Sequence, residues 1–104
     1  MDGVPVIAKR LREARLAAKI SQKQLGIKAG IDEFSASARI NQYERGKHMP
    51  DFSVVERLAK VLKTPTPFFY ARDDDLAELI LDFGKHGAQD RKRILKVLRE
   101  FPAP

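Results

Sequence analysis

Apolar residues recur at three- and four-residue spacing along almost the whole chain, and no convincing stretch alternates as a half-buried strand would. That rhythm commits the chain to amphipathic helices, and caps and breakers cut them short. Val6, Ile7, Leu11, Ala14 and Ala18 mark a first helix over about Val4 to Lys19, with Pro5 tolerable only in its first turn. Ser21, with Gln24 three residues on, suits a capping box for a second helix. That helix carries Leu25 and Ala29 inward and is expected to end at Gly30, where a left-handed cap involves no Cβ clash. Ile31 to Ser35 is a connection, and Ser35 is the expected cap of a third helix running to about Glu44, with Gly46 just past it. Asp51 caps a fourth, whose inner stripe is Val55, Leu58, Ala59 and Leu62. Thr66 and Pro67 read as N-cap and first residue of a short fifth helix through Phe68, Phe69 and Tyr70.

Composition shifts at Arg72 to Asp75, dividing the chain into residues 1–72 and an extension, 73–104. In the extension, Asp75 with Glu78 resembles a capping box, and Leu76, Leu79, Ile80 and Phe83 form a stripe ending at Gly84. A last helix over Ala88 to Phe101 places Ile94, Leu95, Leu98 and Phe101 on one side, opposite Arg91, Lys92, Arg93, Lys96 and Arg99, and Pro102 stops it. These apolar stripes need burial against the rest of the chain, a second copy of it, or another protein bound through residues 74–104.

The 104 residues suit one small helical globule, and their charge is unevenly spread. Between Ala8 and His48 stand ten Lys/Arg and four Asp/Glu, which accounts for the whole net charge of +6. A basic half joined to a neutral half suits a surface facing a polyanion. Absence of cysteine excludes disulfides and thiolate metal sites. No apolar run nears the ~20 residues of a membrane span, so the expected setting is cytoplasmic.

Catalysis has little to work with. His48 and His86 are far apart, and neither a zinc-protease nor a nucleophile-elbow pattern occurs. Asp73, Asp74 and Asp75 read as a helix start favoured by its dipole rather than as a metal site. No Gly-rich phosphate loop is present. The expectation is a protein without enzymatic activity, cofactor or metal. The basic face of the last helix lacks the Trp-rich side of a membrane-surface helix and the exposed aromatic platform expected of a single-stranded RNA binder.

One string is specific. Ser21-Gln22-Lys23-Gln24-Leu25, then Ala29-Gly30-Ile31, then Ile40-Asn41-Gln42-Tyr43-Glu44-Arg45-Gly46-Lys47, then Pro50 and Leu58-Ala59-Lys60-Val61-Leu62, resembles the Cro/repressor-like (XRE) family of helix-turn-helix transcriptional regulators over roughly residues 6 to 71. The resemblance implies an all-α, five-helix DNA-binding domain whose third helix enters the major groove of double-stranded DNA. It implies that Ile40 and Tyr43 lock that helix to the domain, while Ser37, Ala38, Asn41 and Gln42 face base edges. Arg39 could reach a base or a phosphate. Asn and Gln pair with adenine and Arg with guanine through two hydrogen bonds, and Ala38 suits a thymine methyl. Gln22 resembles the family's phosphate-binding glutamine, assisted by backbone N–H groups at the start of the second helix. Arg45, Lys47 and His48 are placed to meet the sugar-phosphate backbone, and Arg10 or Lys23 to contribute. Arg15 and Glu44 match a pair that braces the third helix against the first. A homodimer on an inverted repeat, acting as a repressor, follows as the expected working form. The alternative is an antitoxin-type module that binds a partner protein and uses DNA for autoregulation.

Two departures stand out. About four extra residues, Asp32 to Ser35, lengthen the turn before the third helix. Phe34 within them is expected to anchor against the domain, the alternative being an apolar probe toward thymine methyls. Lys63 occupies a position after the fourth helix where such proteins often carry glycine.

Overall fold

Six α-helices and one 3-10 helix account for the secondary structure of residues 5–104, which the computed structural model of the protein describes. They are α1 (Val6–Ala17), α2 (Gln22–Lys28), α3 (Ala36–Glu44), α4 (Phe52–Leu62), the 3-10 helix (Thr66–Tyr70), α5 (Asp74–Gly84) and α6 (Ala88–Arg99). No strand occurs among the described residues, so the all-α expectation holds. Val4, the expected first helical residue, lies outside the described residues, and Pro5 stands at the N-cap of α1.

Local chemistry sets most boundaries. Ser21 Oγ accepts the Gln24 N–H at 3.0 Å, and Gln24 Oε1 accepts the Ser21 N–H at 3.1 Å, which completes the capping box. Asp51 Oδ1 accepts the Val54 N–H at 2.9 Å at the head of α4. The first four helices all end on a left-handed residue: Lys19 (φ 55°), Gly30 (φ 91°), Gly46 (φ 73°) and Lys63 (φ 53°). After each, the next N–H reaches back five residues: Ile20 to the Arg15 carbonyl, Ile31 to Gly26, Lys47 to Gln42 and Thr64 to Ala59. This is the Schellman closure, which satisfies carbonyls the helix leaves open. Glycine adopts it freely. Lysine does so against its own Cβ, at roughly 1–2 kcal/mol.

Three expected caps differ. Ser35 stands at the N-cap of α3, but its backbone is already near-helical (φ −110°, ψ −11°) and its hydroxyl makes no capping bond. Asp32 closes that turn instead, its carboxylate accepting the Phe34 N–H at 3.0 Å and its carbonyl the Ser35 N–H at 2.9 Å. The expected fifth helix is the 3-10 helix, with Pro65 rather than Thr66 at the N-cap position. In the Asp73–Asp75 run the cap is Asp73, which accepts the Leu76 N–H at 2.8 Å, and Asp75 lies inside the first turn. The choice follows from Asp74, which contacts with α1 hold at one fixed place.

The core gathers Leu11 from α1, Leu25 from α2, Ile40 from α3, Val55 and Leu58 from α4 and Phe69 from the 3-10 helix, all essentially without solvent contact. No other pair of elements packs as extensively as α2 on α3. A Cβ on Gly26 would stand 2.7 Å from the Ala36 Cβ, nearer than two carbons approach, so the crossing needs glycine there. Arg57 on α4 donates to the Ala29 carbonyl at 3.0 Å and holds the end of α2.

Arg10 is not a phosphate ligand but a strap. Only 2% exposed, it donates through Nε to the Ala71 carbonyl (2.8 Å) and through Nη2 to the Arg72 carbonyl (3.1 Å) and Asp74 Oδ1 (3.0 Å). Nη1 donates to Glu13 at 2.9 Å, and the guanidinium lies 5.6 Å from the centre of the Phe68 ring. Burial opposes the charge, yet the bonds to Glu13 and Asp74 prevail and hold the Arg10 pKa above its ordinary value. Lys9 adds a 3.1 Å contact to Asp74.

So fastened, α5 presents Ala77, Ile80 and Leu81 to the core. This corrects the expected stripe. Leu76 and Leu79 are exposed, because the small Ala77 side takes the inner position against the 3-10 helix. The α6 helix buries none of its residues. Its basic face is not wholly solvated, because Arg91 turns back onto the preceding helix. Arg91 donates to the Phe83 (3.2 Å) and Gly84 (3.0 Å) carbonyls, capping α5, and lies 5.3 Å from the Phe83 ring centre. With α6 projecting, the molecule measures 51 × 31 × 23 Å. Its radius of gyration is 15.4 Å, against about 13 Å for a compact chain near this length.

Candidate nucleic-acid interface

The two faces of α3 differ in kind. Ala36, Ile40 and Tyr43 are buried, which fixes the helix to the domain, while Ser37, Ala38 and Arg39 are exposed. Asn41 and Gln42 are half-buried at the border between these faces. Asn41 Oδ1 accepts a hydrogen bond from Gln22 Nε2 at 3.3 Å, and the same Gln22 amide donates to Glu44 Oε1 at 3.1 Å. Gln22, the first residue of α2, therefore orients two side chains of α3. Sequence reasoning assigned it a phosphate and did not foresee this contact.

Arg15 and Glu44 do meet. Arg15 Nε lies 2.5 Å from Glu44 Oε2 and Nη2 lies 3.0 Å from Oε1, a two-point bridge with both side chains largely buried. Arg15 Nη1 also donates to the Ile20 carbonyl at 3.1 Å, tying the α1–α2 connection into the same knot. The bond to Glu44, opposed by burial, raises the Arg15 pKa above its ordinary value. Arg15, Gln22, Asn41 and Glu44 thus form one hydrogen-bonded chain linking α1, α2 and α3.

Lys23, Arg39, Arg45, Lys47 and His48 are all exposed. Among the described residues none of them forms an ion pair, so their charge and donors face solvent. Arg45 caps α3, and the left-handed Gly46 turns the chain so that Lys47 and His48 follow immediately beyond the helix end. The extended turn contradicts one expectation outright. Phe34 anchors nothing: its ring is 90% exposed. The Asp32 closure fixes the turn through its backbone and leaves the ring outside the core. Sequence reasoning also missed Gly26 and Ala36. A glycine inside a helical pattern was the available signal, because it commonly marks a close backbone approach.

Two successive helices joined at a close crossing, the second with one locked and one open face bordered by free cations, define a helix-turn-helix protein. A helix-turn-helix family model matches residues 11–69, more than half of the chain. The chain belongs to that family, in its Cro/repressor-like (XRE) type. A solved structure described as the transcriptional regulator BswR is similar over nearly the full length: 45% identity, 90% of this chain and 93% of the other covered, TM-score 0.85. Because it covers 90% of this chain, that similarity continues past the family match into the α5–α6 extension. No curated protein sequence matches. No helix among the described residues is long and apolar enough to cross a membrane.

Proposed function

We propose that the protein is a transcriptional repressor that binds an inverted-repeat operator in double-stranded DNA as a homodimer, in the cytoplasm. The observation that carries the reading is the open face of α3, held in place by a buried opposite face and by the Arg15–Glu44 bridge. Ser37, Ala38, Arg39, Asn41 and Gln42 read base edges. Gln22, Lys23, Arg45, Lys47 and His48 set the register on phosphates. Gln22 and Asn41 reach DNA as a hydrogen-bonded pair, so the amide that positions also constrains the one that reads.

A dimer follows from size and surface together. One reading helix spans a few base pairs, whereas a two-fold pair reads half-sites about 34–36 Å apart. The extension carries the apolar area such a pair needs: Leu76, Leu79, Leu95, Val97, Leu98 and Phe101 are exposed. Exposed apolar side chains at this density on two helices suit an interface. Residues 73–104 thus combine a strut, α5, with a dimerising arm, α6. Occupation of the operator then blocks transcription by occlusion.

Selection from a random duplex pool, followed by gel shift of the recovered sequence over a salt series, tests the reading. The expected result is a palindromic site whose log affinity falls with log salt at about −0.9 per phosphate neutralised. Recovery of no preferred sequence, with α6 instead retaining a different protein, would favour the antitoxin-type alternative.

A further inference from the structure

Phe34 is the most exposed large apolar side chain of the described residues, yet it stands on an ordered turn. The Asp32 carboxylate and carbonyl hold the backbone on either side of it, through the Phe34 and Ser35 N–H groups. The Arg39 N–H then bonds to the Ser35 carbonyl at 2.9 Å, so the turn runs into α3 without a break. Phe34 therefore precedes Ser37 and Ala38 by about one helical turn, and all three are exposed. An aromatic ring left in water forgoes a large hydrophobic gain. Ser37 and Ala38, which follow Phe34 by about one turn and are also exposed, are read above as facing base edges, and this sets base edges as the ring's apolar target. In the major groove that target is the thymine C5 methyl, the one apolar group on a base edge there.

We infer that Phe34 is a specificity-determining residue that packs against a thymine methyl at one position of each half-site. The inference rests on the reading of α3 as the groove-entering helix. The longer turn then serves recognition: it carries the apolar contact about one helical turn ahead of Ser37 and Ala38 and about two ahead of the amides.

The test uses the full chain and the duplex recovered by selection, with single thymines replaced in turn by deoxyuridine, which lacks only the methyl. For the wild-type protein one replacement per half-site is expected to weaken binding about fourfold, the worth of one buried methyl. Phe34→Ala is expected to bind the thymine duplex about tenfold more weakly and to bind both duplexes alike, with an unchanged melting temperature because the ring is exposed. A Phe34→Ala protein that keeps the wild-type affinity and methyl preference at every position overturns the inference. The Asn41→Ala/Gln42→Ala variant separates the two levels. If it loses selectivity while Phe34→Ala does not, the Phe34 role alone fails. If it too selects the same site as tightly, the reading of α3 fails and the Phe34 role with it.

Discussion

Glu44 shows how one side chain can matter to DNA binding without touching DNA. It accepts from Arg15 and from Gln22 inside the domain, so replacing it strands the Arg15 charge and frees the Gln22 amide. Glu44→Ala is expected to lower stability by roughly 3–5 kcal/mol, the loss typical of a broken buried pair. Chemical denaturation measures it, and an unchanged midpoint would remove Glu44 from the bracing role. Asp74 offers a pH-dependent counterpart. Hydrogen bonds from Lys9 and Arg10 hold its pKa below the ordinary carboxylate range. A folded pKa below the unfolded one adds stability that is present above about pH 4 and is lost as pH falls through the lower folded value. Asp74→Asn should therefore flatten the fall in melting temperature on acidification below pH ~4. The Arg15–Glu44 bridge was legible because the family resemblance names both partners. The Arg10 strap was not: two of its partners are backbone carbonyls some sixty residues away, and carbonyls leave no mark in a sequence.

Among the elements, helix ends were easier to foresee than helix neighbours. Ser21, Gly30, Gly46 and Asp51 each act through bonds within a few residues, so their chemistry can be read locally. Asp73 escaped because three aspartates in a row offer equivalent local caps, and only the tertiary hold on Asp74 chooses among them. The inner face of α5 escaped for a related reason: a small alanine, rather than the leucines, allowed the closer approach. Lys63 carries a testable consequence of its left-handed backbone. Lys63→Gly removes roughly 1–2 kcal/mol of strain and gives back about 0.4–1 kcal/mol through a freer unfolded chain. A net gain between about zero and about 1.6 kcal/mol is expected, read as a higher urea midpoint with an unchanged slope. A lower midpoint would mean that the lysine side chain contributes more than its backbone costs.

The molecule as a whole is a packed body with one projecting arm, and no residue of the arm is fully buried within its own chain. Introducing a charge on it should therefore spare the fold and disturb only assembly. Leu98→Glu is expected to leave monomer unfolding intact, to shift sedimentation to monomer mass, and to weaken operator binding by about a hundredfold or more as the second half-site is lost. A Leu98→Glu protein that remains dimeric would place the interface elsewhere. The arm's apolar stripe was legible from its spacing, whereas its projection was not, because periodicity reports which residues share a face and not what lies opposite. The elbow between α5 and α6 is itself stitched by Arg91 to the last carbonyls of α5, and α5 is stitched by Arg10 to α1. In the dimer proposed above, two copies joined through their arms would behave as calipers set to one gauge. Loosening Arg91 would leave the bases preferred in each half unchanged and widen the range of separations between the halves that the pair can span.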